Sequence, residues 1–125
     1  MSQSPSQSPS QSDLYPPATK ELAAQRRQLA PKPAEAFRAF SQAAFADGAL
    51  PAKTKQLIAV AVAHVTQCPY CIRSHSKQAL HSGATPEEIM EAVWVAAEMR
   101  AGAAMSHAVL ALDEINQVHH DAAGH

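Results

Sequence analysis

Residues 55–75 read KQLIAVAVAHVTQCPYCIRSH, and the fold turns on whether their apolar run is a helix or a strand. Leu57, Ile58, Val60, Ala61, Val62 and Val65 cover most of a helical circumference, as in a helix buried on nearly all sides. A parallel strand over residues 57–62 is the competing reading. The length of the run and its repeated alanines favour the helix, over residues 52–66. Cys68-Pro69 then breaks the chain, and Pro69 suits the first turn of a following helix, which the pattern carries over residues 72–82 until Gly83. The motif Cys68-Pro69-Tyr70-Cys71 is therefore expected at a helix start.

Outward from this stretch the chain stays helical in pattern. Thr85-Pro86-Glu87-Glu88 combines an N-cap, a proline at the first helical position and a carboxylate at the third, which predicts a helix from residue 86 to about residue 100. Gly102 is expected to bend the chain before a last helix over residues 105–118. Upstream, residues 19–29 hold one apolar stripe, and Pro31 and Pro33 are read as a break before a second helix over residues 34–45. Residues 2–12, SQSPSQSPSQS, have no apolar side chain to bury, so residues 1–16 are expected to form a disordered tail. Residues 17–118 form one helical domain of about six helices, and residues 119–125, with His119, His120 and His125, are expected to fray. The fold class is all-α.

Composition agrees and narrows the function. Alanine dominates while aromatic and strand-favouring residues are scarce. Ten Lys and Arg against eleven Asp and Glu, with no basic run, leave no electrostatic footprint for nucleic acid. The longest apolar stretch, broken by His64, falls far short of the roughly 20 residues that cross a bilayer, so no membrane span is expected. No basic-then-apolar leader is visible, and the expected compartment is the cytoplasm.

The two cysteines carry the sharpest signal. Three positions apart, they close too short a loop to stabilise a fold much, so their proximity argues for chemistry. A thiol at the first turn of a helix has its pKa lowered by exposed N–H groups and the positive dipole end. Two intervening residues let the sulfurs approach bonding distance, so one can attack an oxidant and the other resolve the product. His75 lies four residues after Cys71, one turn along the same face, where its imidazole can take the thiol proton. The other reading is structural zinc. His64, Cys68, Cys71 and His75 offer two nitrogens and two sulfurs, the ligand count of a tetrahedral site, although zinc fingers separate their ligand pairs by a longer loop.

Residues 55–75, followed by Lys77-Gln78-Ala79-Leu80 and by GATPEEIMEAV, resemble the AhpD-like alkyl hydroperoxidase branch of the carboxymuconolactone decarboxylase family. The resemblance covers roughly residues 35–112 and rests most on CxxCxxxH between two helices, with Gly102 and His107 beyond. It implies an all-helical fold assembling as a homotrimer or homohexamer, and a peroxidase that reduces organic hydroperoxides or H2O2 through its CxxC without a bound cofactor. By the same resemblance Cys71 attacks the peroxide, Cys68 resolves and exchanges with a dithiol donor such as a lipoyl-bearing adaptor protein, and His75 relays the proton. The lactone decarboxylase branch is expected to lack the CxxC.

One position departs from the pattern. A glutamate is expected twelve residues before the first cysteine, and Gln56 stands there. A carboxamide orients an imidazole but does not take up a proton at neutral pH. Gln56, Val60, His64 and Cys68 follow at intervals of four along one face, so His64 is a candidate replacement base beside the reading of a satisfied, partly buried histidine. Tyr70, His81 and His107 are read as packing or structural residues. Met90, Trp94, Met99 and Met105 are assigned to the core or to subunit contacts, and the alanines around residues 96–104 permit close helix approach between subunits.

Overall fold

A computed structural model of the protein describes residues 14–124, which form five α-helices and no strand. These are α1 (Lys20–Leu29), α2 (Pro31–Phe45), α3 (Ala52–Thr66), α4 (Pro69–His81) and α5 (Pro86–Ala123). The chain divides into two compact units between Ala49 and Leu50, so the helical domain expected over residues 17–118 spans both. Most of the tail expected over residues 1–16, including its SQSP repeat, lies outside the described residues.

In the first unit α1 packs on α2. Thr19 Oγ1 caps α1 by accepting the Leu22 N–H at 3.2 Å. Pro31 and Pro33 do not delay α2 as the sequence suggested; they are its first and third residues. A first-turn N–H has no intrahelical acceptor, so a proline there loses no hydrogen bond and its fixed φ suits the helix.

The second unit holds the CxxC. Its central element is α3, which packs against both α4 and α5. Val60 and Ala79 are fully buried and Ala84 nearly so, with Leu57, Ile89 and Val93 packed around them. Gln67 ends α3 in the left-handed region (φ 56, ψ 53), and the N–H groups of Gln67 and Cys68 both return to Ala63 O, the latter at 3.1 Å. This Schellman closure reverses the chain in one residue and delivers Pro69 to the first position of α4. Gly83 (φ 93) ends α4 the same way, with the Ala84 N–H on Ala79 O at 2.9 Å.

Helix α5 begins with a complete capping box. The Glu88 N–H donates to Thr85 Oγ1 at 3.1 Å, and the Thr85 N–H donates to Glu88 Oε1 at 2.9 Å. Glu88 Oε2 also meets Lys53 Nζ at 2.9 Å, linking the starts of α3 and α5. At the other end of α3 the Arg100 guanidinium donates to Val65 O at 3.1 Å, satisfying a last-turn carbonyl. Thr85→Ala is expected to cost about 1 kcal/mol by urea denaturation, the usual value of such a cap. Lys53, and then the Thr85 N–H, hold the Glu88 carboxyl below its ordinary pKa. A carboxyl depressed in the folded state stabilises it above the unfolded pKa and ceases to as pH falls through the folded one. Wild type should therefore lose stability through the acidic carboxylate range more steeply than Glu88→Gln, and parallel acid profiles would exclude the Lys53 pair as the cause.

Two expectations are corrected by α5. The helix passes straight through Gly102, so the two helices expected over residues 86–100 and 105–118 are one of 38 residues. It also remains helical through Ala123, taking in the segment expected to fray from residue 119. Along it Met90, Trp94, Met99 and Met105 are more than half exposed, Trp94 to 70% and Met105 to 72%. They do not fill the core of this chain.

Candidate active site at the start of α4

Cys68 occupies the N-cap of α4 in extended backbone, and its Sγ accepts the Cys71 N–H at 3.3 Å. A sulfur thus does what a serine or aspartate oxygen does at other caps, which favours its anionic form because the N–H and the helix dipole both point at it. Hydrogen bonding from the Cys71 side chain, then from its backbone, holds the Cys68 thiol below the ordinary value. The Cys71 thiol is pushed up, first because it is the partner that keeps its proton for Cys68 and then by burial. Both cysteines are free and half-buried.

A polar chain runs between α3 and α4. Gln56, on α3, is 5% exposed and is the one buried polar side chain among the described residues. Its Oε1 lies 2.8 Å from His75 Nδ1, and because a carboxamide oxygen only accepts, Nδ1 is the protonated nitrogen. In that tautomer the ring lone pair lies on Nε2. The Gln56 Nε2 donates to Gln78 Oε1 at 3.2 Å, and Gln78 Nε2 donates to Ser74 Oγ at 3.1 Å.

The structure brings Gln56 to His75 and sets Cys68, Cys71 and His75 along the start of one helix. It does not draw His64 into that chain. The His64 Nδ1–H donates back to Val60 O at 2.8 Å, the preceding turn of its own helix, and His107 does the same to Ala103 O at 2.7 Å. Nor is the four-ligand zinc set assembled: among the described residues no three His, Cys, Asp or Glu side chains converge as metal ligands. Gln78 and Ser74 were not singled out from sequence. Their signal is spacing, since Gln78 is three residues after His75 and four after Ser74, neighbouring positions on a helix.

A helical protein with a dithiol capping one helix and a histidine one turn on is the class that this arrangement defines. The carboxymuconolactone decarboxylase family model matches residues 31–114, and the chain belongs to that family, which includes enzymes. It is 64% identical over 84 residues to the uncharacterized protein 4 in cox locus of Paracoccus denitrificans, covering 67% of this chain and 76% of that one. An uncharacterized protein of Cupriavidus necator is 40% identical over 85 residues, 68% of this chain and 75% of its own. Among solved structures, a carboxymuconolactone decarboxylase family protein from Legionella pneumophila superposes with a TM-score of 0.62 at 38% identity, covering 78% of this chain and 87% of that one. A protein from Methanobacterium thermoautotrophicum gives a TM-score of 0.63 at 40% identity, covering 66% and 93%. No helix among the described residues is long and apolar enough to cross a membrane.

Proposed function

We propose that this protein is a cytoplasmic thiol peroxidase of the AhpD-like kind, reducing organic hydroperoxides or H2O2 through a Cys68/Cys71 dithiol–disulfide cycle. The observation that carries the reading is the pair of unequal thiols at the start of α4, with the Cys68 sulfur accepting the Cys71 N–H and an imidazole held by Gln56 one turn on. In the first step the Cys71 proton passes to His75 Nε2 and Cys71 Sγ attacks the terminal peroxide oxygen. The O–O bond breaks, Cys71 becomes a sulfenic acid, and the leaving alkoxide takes the proton back from His75 as alcohol. The Cys68 thiolate then attacks the sulfenic sulfur, forming the disulfide, while the expelled oxygen leaves as water after taking up a proton. A dithiol donor, a lipoyl-bearing adaptor protein or thioredoxin, restores both thiols and is itself oxidised to a disulfide. Hydroperoxide and donor dithiol are thereby converted to alcohol, water and donor disulfide.

A second assignment exchanges the two sulfurs, and the lowered pKa of Cys68 favours it. Alkylation by iodoacetamide at neutral pH is expected to label Cys68 before Cys71, which peptide mapping reads directly. The peroxidase reading itself is tested by counting thiols in reduced protein before and after one equivalent of cumene hydroperoxide. Loss of two thiols per chain, recovered with a dithiol, is expected; thiols that resist the peroxide would exclude the reading.

The exposed apolar side chains of α5 support assembly as a homotrimer or homohexamer. Monomeric proteins rarely leave such patches in water. Sedimentation equilibrium is expected to return three or six times the 13.3 kDa chain mass.

A further inference from the structure

A pair of thiols is also a set of metal ligands, and the geometry at the start of α4 decides for which ion. Cys68 Sγ lies 3.3 Å from the Cys71 nitrogen, and the Cys71 sulfur is three bonds from that nitrogen. Rotation about the Cys71 Cα–Cβ bond therefore brings both sulfurs to one small ion. Both thiols are free and half-buried, so an ion reaches them from solvent. No third donor joins them: among the described residues no three His, Cys, Asp or Glu side chains converge, and His64 Nδ1 is engaged by Val60 O at 2.8 Å. Two sulfurs alone do not make the four-coordinate shell of a structural zinc site. They suit a soft monovalent ion, because thiolate sulfur selects Cu(I) over harder cations.

We propose that Cys68 and Cys71 of the reduced protein form a two-sulfur site for Cu(I). Each thiol releases its proton to solvent as the ion binds, copper stays monovalent, and no electron is transferred. Two thiolates and one Cu(I) carry a single net negative charge. The N–H groups at the start of α4 are placed to stabilise that charge, the Cys71 N–H being already on Cys68 Sγ. A divalent ion between the same sulfurs would leave no net charge for the helix start to stabilise and would still lack two donors. The site stands apart from the peroxidase reading. An ion held by both sulfurs leaves neither free as a nucleophile, so copper occupancy and thiol oxidation exclude one another.

The test titrates the reduced full chain with Cu(I) in the absence of oxygen, against the chromophoric chelator bicinchoninate. About one Cu(I) per chain is expected, with an X-ray absorption spectrum of copper bound by two sulfurs. Cys68→Ser and Cys71→Ser should each weaken binding by more than the roughly hundredfold that loss of a supporting contact costs a metal site. His64→Gln, which removes the imidazole that α3 would lend to a four-ligand set, should bind as wild type does. Zn(II), titrated against a zinc-binding dye, should not be retained. Wild type that leaves copper with the chelator, a copper shell containing nitrogen, a single-cysteine variant that keeps the ion, or Zn(II) held as tightly as Cu(I) overturns the proposal. Circular dichroism establishes that each variant is folded. Copper binding by a chain whose thiols resist cumene hydroperoxide would leave the site intact and remove the peroxidase reading, and peroxide consumption without copper binding would do the reverse.

Discussion

Cys71→Ser is expected to abolish catalytic turnover of hydroperoxide, while Cys68→Ser consumes about one equivalent per chain and stops. A serine oxygen at position 71 is not oxidised by the peroxide, and Cys68 alone has no second sulfur with which to close a disulfide, so the cycle stops. With Cys68 replaced, Cys71 still oxidises, but no neighbouring sulfur expels water, and the sulfenic acid persists to be trapped by dimedone. The serine at 68 also retains an oxygen to cap the Cys71 N–H, so the helix start is preserved and the loss of cycling is chemical. Stopped-flow consumption and dimedone mass mapping check both variants. Continued turnover in Cys71→Ser together with one-equivalent behaviour in Cys68→Ser is excluded by this mechanism, and the mirror-image result would exchange the roles of the two sulfurs.

Val60→Asp is expected to unfold the second unit, and Val60→Ala to destabilise it by about 2 kcal/mol. Val60 has no exposed surface and lies where α3 meets Ala79 of α4 and the Ala84 link to α5. A carboxylate there has no partner within the apolar cluster, and burying it costs several kcal/mol, a large part of what a domain of this size possesses. The alanine variant loses two methyl groups and leaves a void beside Ala79 and Ala84, whose small side chains do not fill it. For a unit of this length the alanine substitution should lower Tm by roughly 8–16 °C, measured by circular dichroism. An unchanged midpoint in Val60→Ala would place the core elsewhere.

Much of the second unit was legible because its signals are local. The apolar run around Val60, the proline after Cys68, Gly83 and the Thr85–Glu88 box each mark a boundary by the chemistry of one or two residues, and α3 and α5 begin where those residues say. The errors came where a local signal has two meanings. Pro31 and Pro33 were read as a break, yet prolines in a first turn begin a helix as readily as they end one. Gly102 was read as a bend, but a single glycine costs a helix only about 1 kcal/mol, and the long apolar pattern on both sides outweighs it.

At the site the same division holds. The chain Cys68, Cys71, His75 lies on one helix and needs only its spacing to be seen. Gln56 and His64 share a face of α3, yet one reaches α4 while the other folds back onto Val60 O. That outcome depends on side-chain rotamers and on the register of α3 against α4, which no periodicity contains. Gln78 escaped notice for a related reason: its contact is with Gln56, 22 positions away on another helix.

The sulfur cap described at the start of α4 also bears on redox potential. Cys68 is both the residue whose N–H closes α3 and the residue whose sulfur closes α4. Hydrogen bonds to that sulfur are strongest when it is anionic and weaken once it is bonded to a second sulfur. Under the proposed cycle, whatever free energy they lend the dithiol is withdrawn on oxidation, which would raise the reduction potential of the pair and make a Cys68–Cys71 disulfide readier to take electrons from a donor. In that cycle the helix start would act as an electrochemical element, since the contacts that position the sulfur would also set the potential at which it works.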